Sequence, residues 1–197
     1  MANRLKPLRL LLISLEQMGY VEVCQIVDGI ILAHEITYSM KVTKTPSMLL
    51  KLNLSKAFDK LSWNFLEKML LAFGFCPSWT RWILALTSSV FFSILVNGSL
   101  SATFSPSRGI HQGNPLSHFL FILMAEGLGR LIHVDLHDNK LKGLSFHGSP
   151  PMAYQPFVDE NLLFGHPSVH EARSIKRILK TFSEASGTTI NLEKSQI

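Results

Sequence analysis

Cysteine is nearly absent. Only Cys24 and Cys76 occur among the 197 residues, far apart and in no paired spacing, so neither a disulfide framework nor a zinc site organises the fold. Long apolar runs are lacking as well: the longest, FLFILMA from Phe119 to Ala125, falls far short of the ~20 residues that a membrane-spanning helix needs. The apolar LRLLLISL near the start has no small-residue cleavage site and reads as a helix rather than a secretory signal. The eight histidines show no repeated His-x-x-x-His or His/Cys spacing of the kind that marks a metal centre. These absences predict a soluble intracellular protein, nuclear or cytoplasmic, with its thiols reduced. They also leave no internal repeat and no low-complexity segment from which a modular array could be built.

What the chain does have is material for a core. Hydrophobic residues make up 47% and charged residues only 17%, which excludes a disordered tail. The length suits one substantial domain. A net charge of +5 is compatible with an anionic partner, nucleic acid among them, without requiring one.

Patterning then gives an order of elements. GIILAHEITYSMKV carries Ile31, Ala33, Ile36 and Met40 on a helical period and ends in basic residues, as a helix C-terminus favours. Met48 to Leu54 alternates as a strand, with Leu50, Leu52 and Leu54 on one face and Leu49, Lys51 and Asn53 on the other. Asp59 is the expected N-cap of a helix whose Leu61, Phe65, Met69 and Phe73 recur at helical spacing, with Gly74 as its stop. PSWTRWILALTSS fits a second helix, and Asn97-Gly98 between β-prone runs predicts a hairpin. A glycine-containing loop then enters a long apolar helix at Pro115. MAYQPFVDENLLFG reads as another hairpin. Ser168-x-x-Glu171 reads as a capping box opening a helix that buries Ala172, Ile175, Leu179 and Phe182 and closes at Gly187. A short strand follows. The sum is an α+β fold, a small antiparallel sheet backed by helices.

The FVDENLLF hairpin holds the first chemical question, because Asp159 and Glu160 stand side by side between hydrophobic runs. Such residues suit a solvated turn. Two carboxylates at a tight turn also suit a divalent cation, since Mg²⁺ takes oxygen ligands. Spacing alone leaves both readings open.

Three segments in order, LKLNLSKAFDKLSW, SRGIHQGNPLSHFLFILMAEGL and FVDENLLF, followed by GTTINLEKSQI, resemble the reverse transcriptase domain of plant-type non-LTR (LINE-like) retrotransposons. The opening LISLEQMGYVEVCQIVDGIILAHEI is similar to the fingers that precede the palm in that family. The resemblance implies a polymerase right hand with part of the fingers over residues 1–45, the palm over 46–197 and no thumb. It implies an RNA template, a DNA primer and deoxynucleotide triphosphates as partners, with no membrane. The reaction would be attack of a primer 3′-hydroxyl on a nucleotide α-phosphorus, served by two Mg²⁺ ions about 3.5–4 Å apart.

The same resemblance assigns residues. Asn53, Asp159 and Glu160 fall at the catalytic carboxylate positions, with Asp159 and Glu160 left as metal ligands. Phe58, Gln112, Gly113 and Lys194 match nucleotide-binding positions, and Lys56 and Arg108 match places where phosphate would be met. The departures are equally specific. The family's first palm Asp is Asn53, its Asp-Asp is Asp159-Glu160, and its Arg-Gln-Gly-Asp-Pro is His111-Gln112-Gly113-Asn114-Pro115. In the fingers, a Gly-Arg reads Val23-Cys24 and an Asp-Asn reads Asp28-Gly29. An amide offers a metal a neutral carbonyl and no charge, so three carboxylates become two beside divalent cations. The expectation is a reverse-transcriptase-like domain with impaired catalysis. The competing expectations are a polymerase that tolerates Asn53 and Glu160, and a non-catalytic nucleic-acid-binding or interaction module that keeps the fold.

Overall fold

The structure is a computed structural model that describes residues 2–14, 16–17, 26–145, 150–157 and 160–197. Its elements run α1 (Ala2–Leu5), a 3-10 turn (Lys6–Leu8), α2 (Arg9–Leu12), α3 (Ile26–Thr43), β1 (Met48–Ser55), α4 (Ala57–Lys60), α5 (Trp63–Ala72), α6 (Pro77–Ser88), β2 (Leu95–Val96), β3 (Ser99–Leu100), α7 (Pro115–His137), β4 (Tyr154–Phe157), β5 (Glu160–Gly165), α8 (Val169–Ser186) and β6 (Thr189–Ile190). β4, β5, β1 and β6 form one antiparallel sheet in that spatial order, and β2 and β3 form a separate hairpin.

Alternation in β1 divides the sheet. Leu52 and Leu54 are buried on the face that meets α7 and α8, together with Leu163 of β5. Leu49 lies on the other face with Leu162 and Phe164, under Leu32, Ile36 and Met40 of α3. The apolar run of α7 is the centre of the molecule: every residue from Phe119 to Glu126 is buried, as befits a helix that is hydrophobic all round. Among the described residues no helix is long and apolar enough to cross a membrane.

Local chemistry explains the element ends, and four expectations are corrected. Asp59 lies inside α4, and the cap of α5 is Ser62, whose Oγ accepts from the Phe65 N–H. The fully buried positions of α5 are Leu66 and Leu70, while Phe65, Met69 and Phe73 are only partly buried; starting the helix at Trp63 turns the Leu66–Leu70 edge of its apolar face toward the core. In α3, Ile36 is buried but Ile31 is half exposed. In α8, Ile175, Leu179 and Phe182 are buried as expected, but Ala172 is exposed and Ile178 takes a core place.

The capping box at α8 is half made. Ser168 Oγ accepts from the Glu171 N–H at 3.1 Å, but the Glu171 carboxylate reaches back to the His166 N–H at 3.0 Å. Asn97 and Gly98 both take positive φ, 48° and 83°, which is what a tight two-residue hairpin turn requires.

Two polar contacts tie neighbouring elements together, one within the sheet and one between helices. Tyr154 Oη donates to Asn161 Oδ1 at 2.6 Å inside the core, and burial pushes the Tyr154 phenol above its ordinary pKa, so it stays a donor at any working pH. Between α7 and α8, the buried Asp135 carboxylate accepts from the half-exposed Arg177 guanidinium. Arg177→Ala leaves that carboxylate buried without its cation. Urea unfolding is expected to show a loss of about 1–3 kcal/mol, the size of a hydrogen bond to a charged group.

Candidate functional site

The register of β1 against β5 builds the site. Asn53 and Glu160 are direct cross-strand partners, and Lys51 lies opposite Leu162. Directly opposed residues in an antiparallel pair leave the same face. The strand alternation puts Lys51 on that face too, and its Nζ meets Glu160 Oε2 diagonally at 3.0 Å, with both side chains nearly half exposed. Phe157 pairs with Glu160 on the hairpin's other strand; Val158 and Asp159 lie outside the described residues.

The chain's last stretch closes the other side of β1. The Asn191 N–H donates to Asn53 O at 2.8 Å, the Asn53 N–H donates to Ser195 Oγ at 3.2 Å, and Lys51 and Gln196 exchange backbone hydrogen bonds at 2.8 and 2.9 Å. Asn191 Oδ1 accepts from the Glu193 and Lys194 amides, folding a turn that holds exposed Lys194 beside the strand carrying Asn53. Spacing did not announce this contact, because the pairing joins residues more than 130 positions apart.

The other assigned residues gather around the end of β1. Lys56 is exposed and takes φ 47° at the start of α4. The Phe58 ring stacks on Phe121 at 4.5 Å between centroids and meets His118 edge-on at 5.9 Å, so it is fixed by the core helix. Arg108, Gln112 and Gly113 are exposed on the loop entering α7, and Gly113 has φ +88°. Asn114 caps α7, its Oδ1 accepting from the Leu116 N–H at 2.9 Å. Asp and Asn are near-equal caps, so this departure leaves the helix entry intact. Val23 and Cys24 lie outside the described residues, and Asp28 is in the first turn of α3.

The loop before α7 is pinned to the turn after β1. The Gly109 N–H donates to Leu61 O at 2.7 Å, Trp63 Nε1 donates to Gly109 O at 2.7 Å, and the Ile110 N–H donates to Phe58 O at 2.9 Å. A Cβ on Gly109 would stand 2.7 Å from Asp59 O, and φ there is +90°.

The profile of the family described as reverse transcriptase (RNA-dependent DNA polymerase) matches residues 1–197. The chain belongs to the reverse transcriptase family. It is 27% identical over 172 residues to the transposon TX1 uncharacterized 149 kDa protein of Xenopus laevis, covering 86% of this chain and 13% of that protein. It is also 27% identical over 166 residues to the retrovirus-related Pol polyprotein of the type-1 retrotransposable element R2 from Popillia japonica, covering 84% of this chain and 26% of the polyprotein. The likeness to non-LTR retrotransposon proteins read from the four segments is therefore borne out. The chain spans about a quarter or less of the length of these relatives.

A telomerase of Candida tropicalis, in complex with a TWJ fragment of telomeric RNA, superposes with a TM-score of 0.67 at 11% identity, over 99% of this chain and 32% of that one. That likeness fixes the fold: mixed helix and antiparallel sheet, a partial polymerase palm.

Reverse transcriptases use divalent metal ions, and two of the three donor positions here, 53 and 160, are among the described residues. Asn53 brings no charge, and the Glu160 carboxylate already has an ammonium partner in Lys51. Sequence alternation put Lys51 and Asn53 on one face, yet only the register reveals that the cation reaches the acid.

Two measurements follow from this geometry. Lys51→Ala is expected to change unfolding free energy by less than about 1 kcal/mol, because both partners are well solvated. Gly109→Ala is expected to cost more than about 1 kcal/mol by the same urea titration, since both its φ and its neighbour forbid a side chain.

Proposed function

We propose that this reverse transcriptase domain keeps the fingers–palm organisation over 1–45 and 46–197 and retains a surface for an RNA template and a DNA primer, while its metal-dependent nucleotidyl transfer is impaired. The observation that carries the reading is the Asn53–Glu160 cross-strand pair with Lys51 on Glu160. Of the three positions where the family places carboxylates, one is an amide and one is engaged by an internal cation.

Asp159 completes the set in sequence and remains the candidate metal ligand with Glu160. Phe58, Gln112 and Gly113 would face an incoming deoxynucleotide, with Lys194 near its phosphates. Arg108 and Lys56, both exposed, would meet backbone phosphate. Held by Phe121, Phe58 needs no reordering to present its edge to a sugar. A soluble intracellular setting, nuclear or cytoplasmic, suits these partners.

Primer extension on an RNA template tests the reading, with Mg²⁺ and with Mn²⁺. The unchanged chain is expected to extend at background, and the Asn53→Asp, Glu160→Asp double variant is expected to rise at least about tenfold above it, as return of a charged ligand worth ~1.4 kcal/mol or more would give. Extension by the unchanged chain at the rate of the double variant would contradict the impairment. Should neither variant extend a primer while both bind RNA–DNA duplex in a salt-sensitive manner, the chain is a nucleic-acid-binding module that keeps the fold without the chemistry.

A further inference from the structure

The segments that flank the β2–β3 hairpin on either side leave large aromatic rings in solvent. Phe92 and Phe104 face each other across an isolated antiparallel bridge, with ring centroids 5.9 Å apart. Phe92 lies nearly parallel to the His111 imidazole, at 5.9 Å and 10°. Phe92 is 36% and Phe104 48% exposed. The three rings form an offset ladder along a cavity of about 350 Å³ that Asp59, Arg108 and Gln112 also line.

The ladder stands on a fixed base. Ser117 Oγ donates to His111 O at 2.6 Å, and the preceding residues Gly109 and Ile110 are tied to Leu61 and Phe58 as described. Rings serving the core would be covered by it, whereas these line an open cleft.

We propose that the Phe104–Phe92–His111 ladder is a stacking platform for an unpaired nucleobase of a single-stranded RNA or DNA. The chemistry matches on three counts. Flat rings stack on any base, because every base has a π face. The cavity is at the lower end of the sizes that hold small ligands, room for a base with its sugar but not for a duplex. Arg108, exposed at its edge, supplies a cation for the adjoining phosphate, while the Asp59 carboxylate disfavours phosphate inside and can accept from a base amino group. The platform lies outside the Asn53–Glu160 pair, and the inference rests on the nucleic-acid half of the proposed function, not on catalysis.

The test uses the full chain and short single strands, RNA and DNA, each carrying 2-aminopurine, whose fluorescence falls on stacking. Both strands are expected to bind with quenching. Phe92→Leu, which keeps apolar bulk and removes the π face, is expected to weaken binding about 5- to 150-fold, equivalent to ~1–3 kcal/mol per stacked base, and Phe92→Tyr to restore it. Phe104→Leu should act in the same direction, and circular dichroism should show both leucine variants folded. Equal affinity and equal quenching in Phe92→Leu, Phe104→Leu and the unchanged chain would overturn the platform and leave the proposed function standing. Binding confined to duplex would overturn the platform as well. No binding of any nucleic acid at low salt would overturn both.

Discussion

The antiparallel pairing of β1 with β5 is the constraint on which the rest of the site depends. It sets Asn53 opposite Glu160 and Lys51 opposite Leu162, and a slip of one residue would move each of these side chains to the other face. Burial holds the register. Leu52 and Leu54 must face α7 and α8, and Leu49, Leu162 and Phe164 must face α3, so both sides of the strand pair resist sliding. The polar end of the strand inherits its position from the apolar part. A scaffold that is stable for reasons of packing thus carries an amide at position 53 without losing its shape.

The Lys51–Glu160 pair gives the acid at position 160 an internal cation. At nearly half exposure on each side, the pair contributes little to stability, but it partly neutralises a carboxylate that would otherwise wait for a divalent cation. Asn114 makes the opposite case. It departs from the family's Asp yet still caps α7, so substitutions of the same kind differ in consequence according to whether the position needs a charge or only an acceptor. Position 53 gives up a charge, whereas position 114 keeps the acceptor that its helix needs.

Much of this was legible in the residues. The β1 alternation, the Asn97-Gly98 turn, the Pro115 helix entry and the Gly187 stop each follow from local rules, and each appears in the structure. Most of the misses share a cause: they are decided by neighbours distant in sequence. Asp59 and Ser62 are both acceptable caps, and the choice fell to Ser62 once Asp59 was drawn into α4. Ala172 lies on the apolar edge of α8 by periodicity, but its turn of helix lies at an open groove rather than against α7. The return of residues 191–196 along β1, and the approach of His111 to Phe92, are long-range contacts with no local signature.

Cysteine cross-linking measures the central register most directly. Directly opposed antiparallel residues have Cα atoms about 4.5–5.5 Å apart, within the ~4.4–6.8 Å that a disulfide spans, whereas the diagonal neighbour at ~7–8 Å falls outside it. In a chain with Cys24 and Cys76 replaced by serine, Asn53→Cys with Glu160→Cys is predicted to oxidise readily to an intramolecular disulfide, and Asn53→Cys with Leu162→Cys is predicted not to. Preferred cross-linking of 53 to 162, or none to 160, would contradict the placement of Asn53 and Glu160 opposite each other on one sheet face.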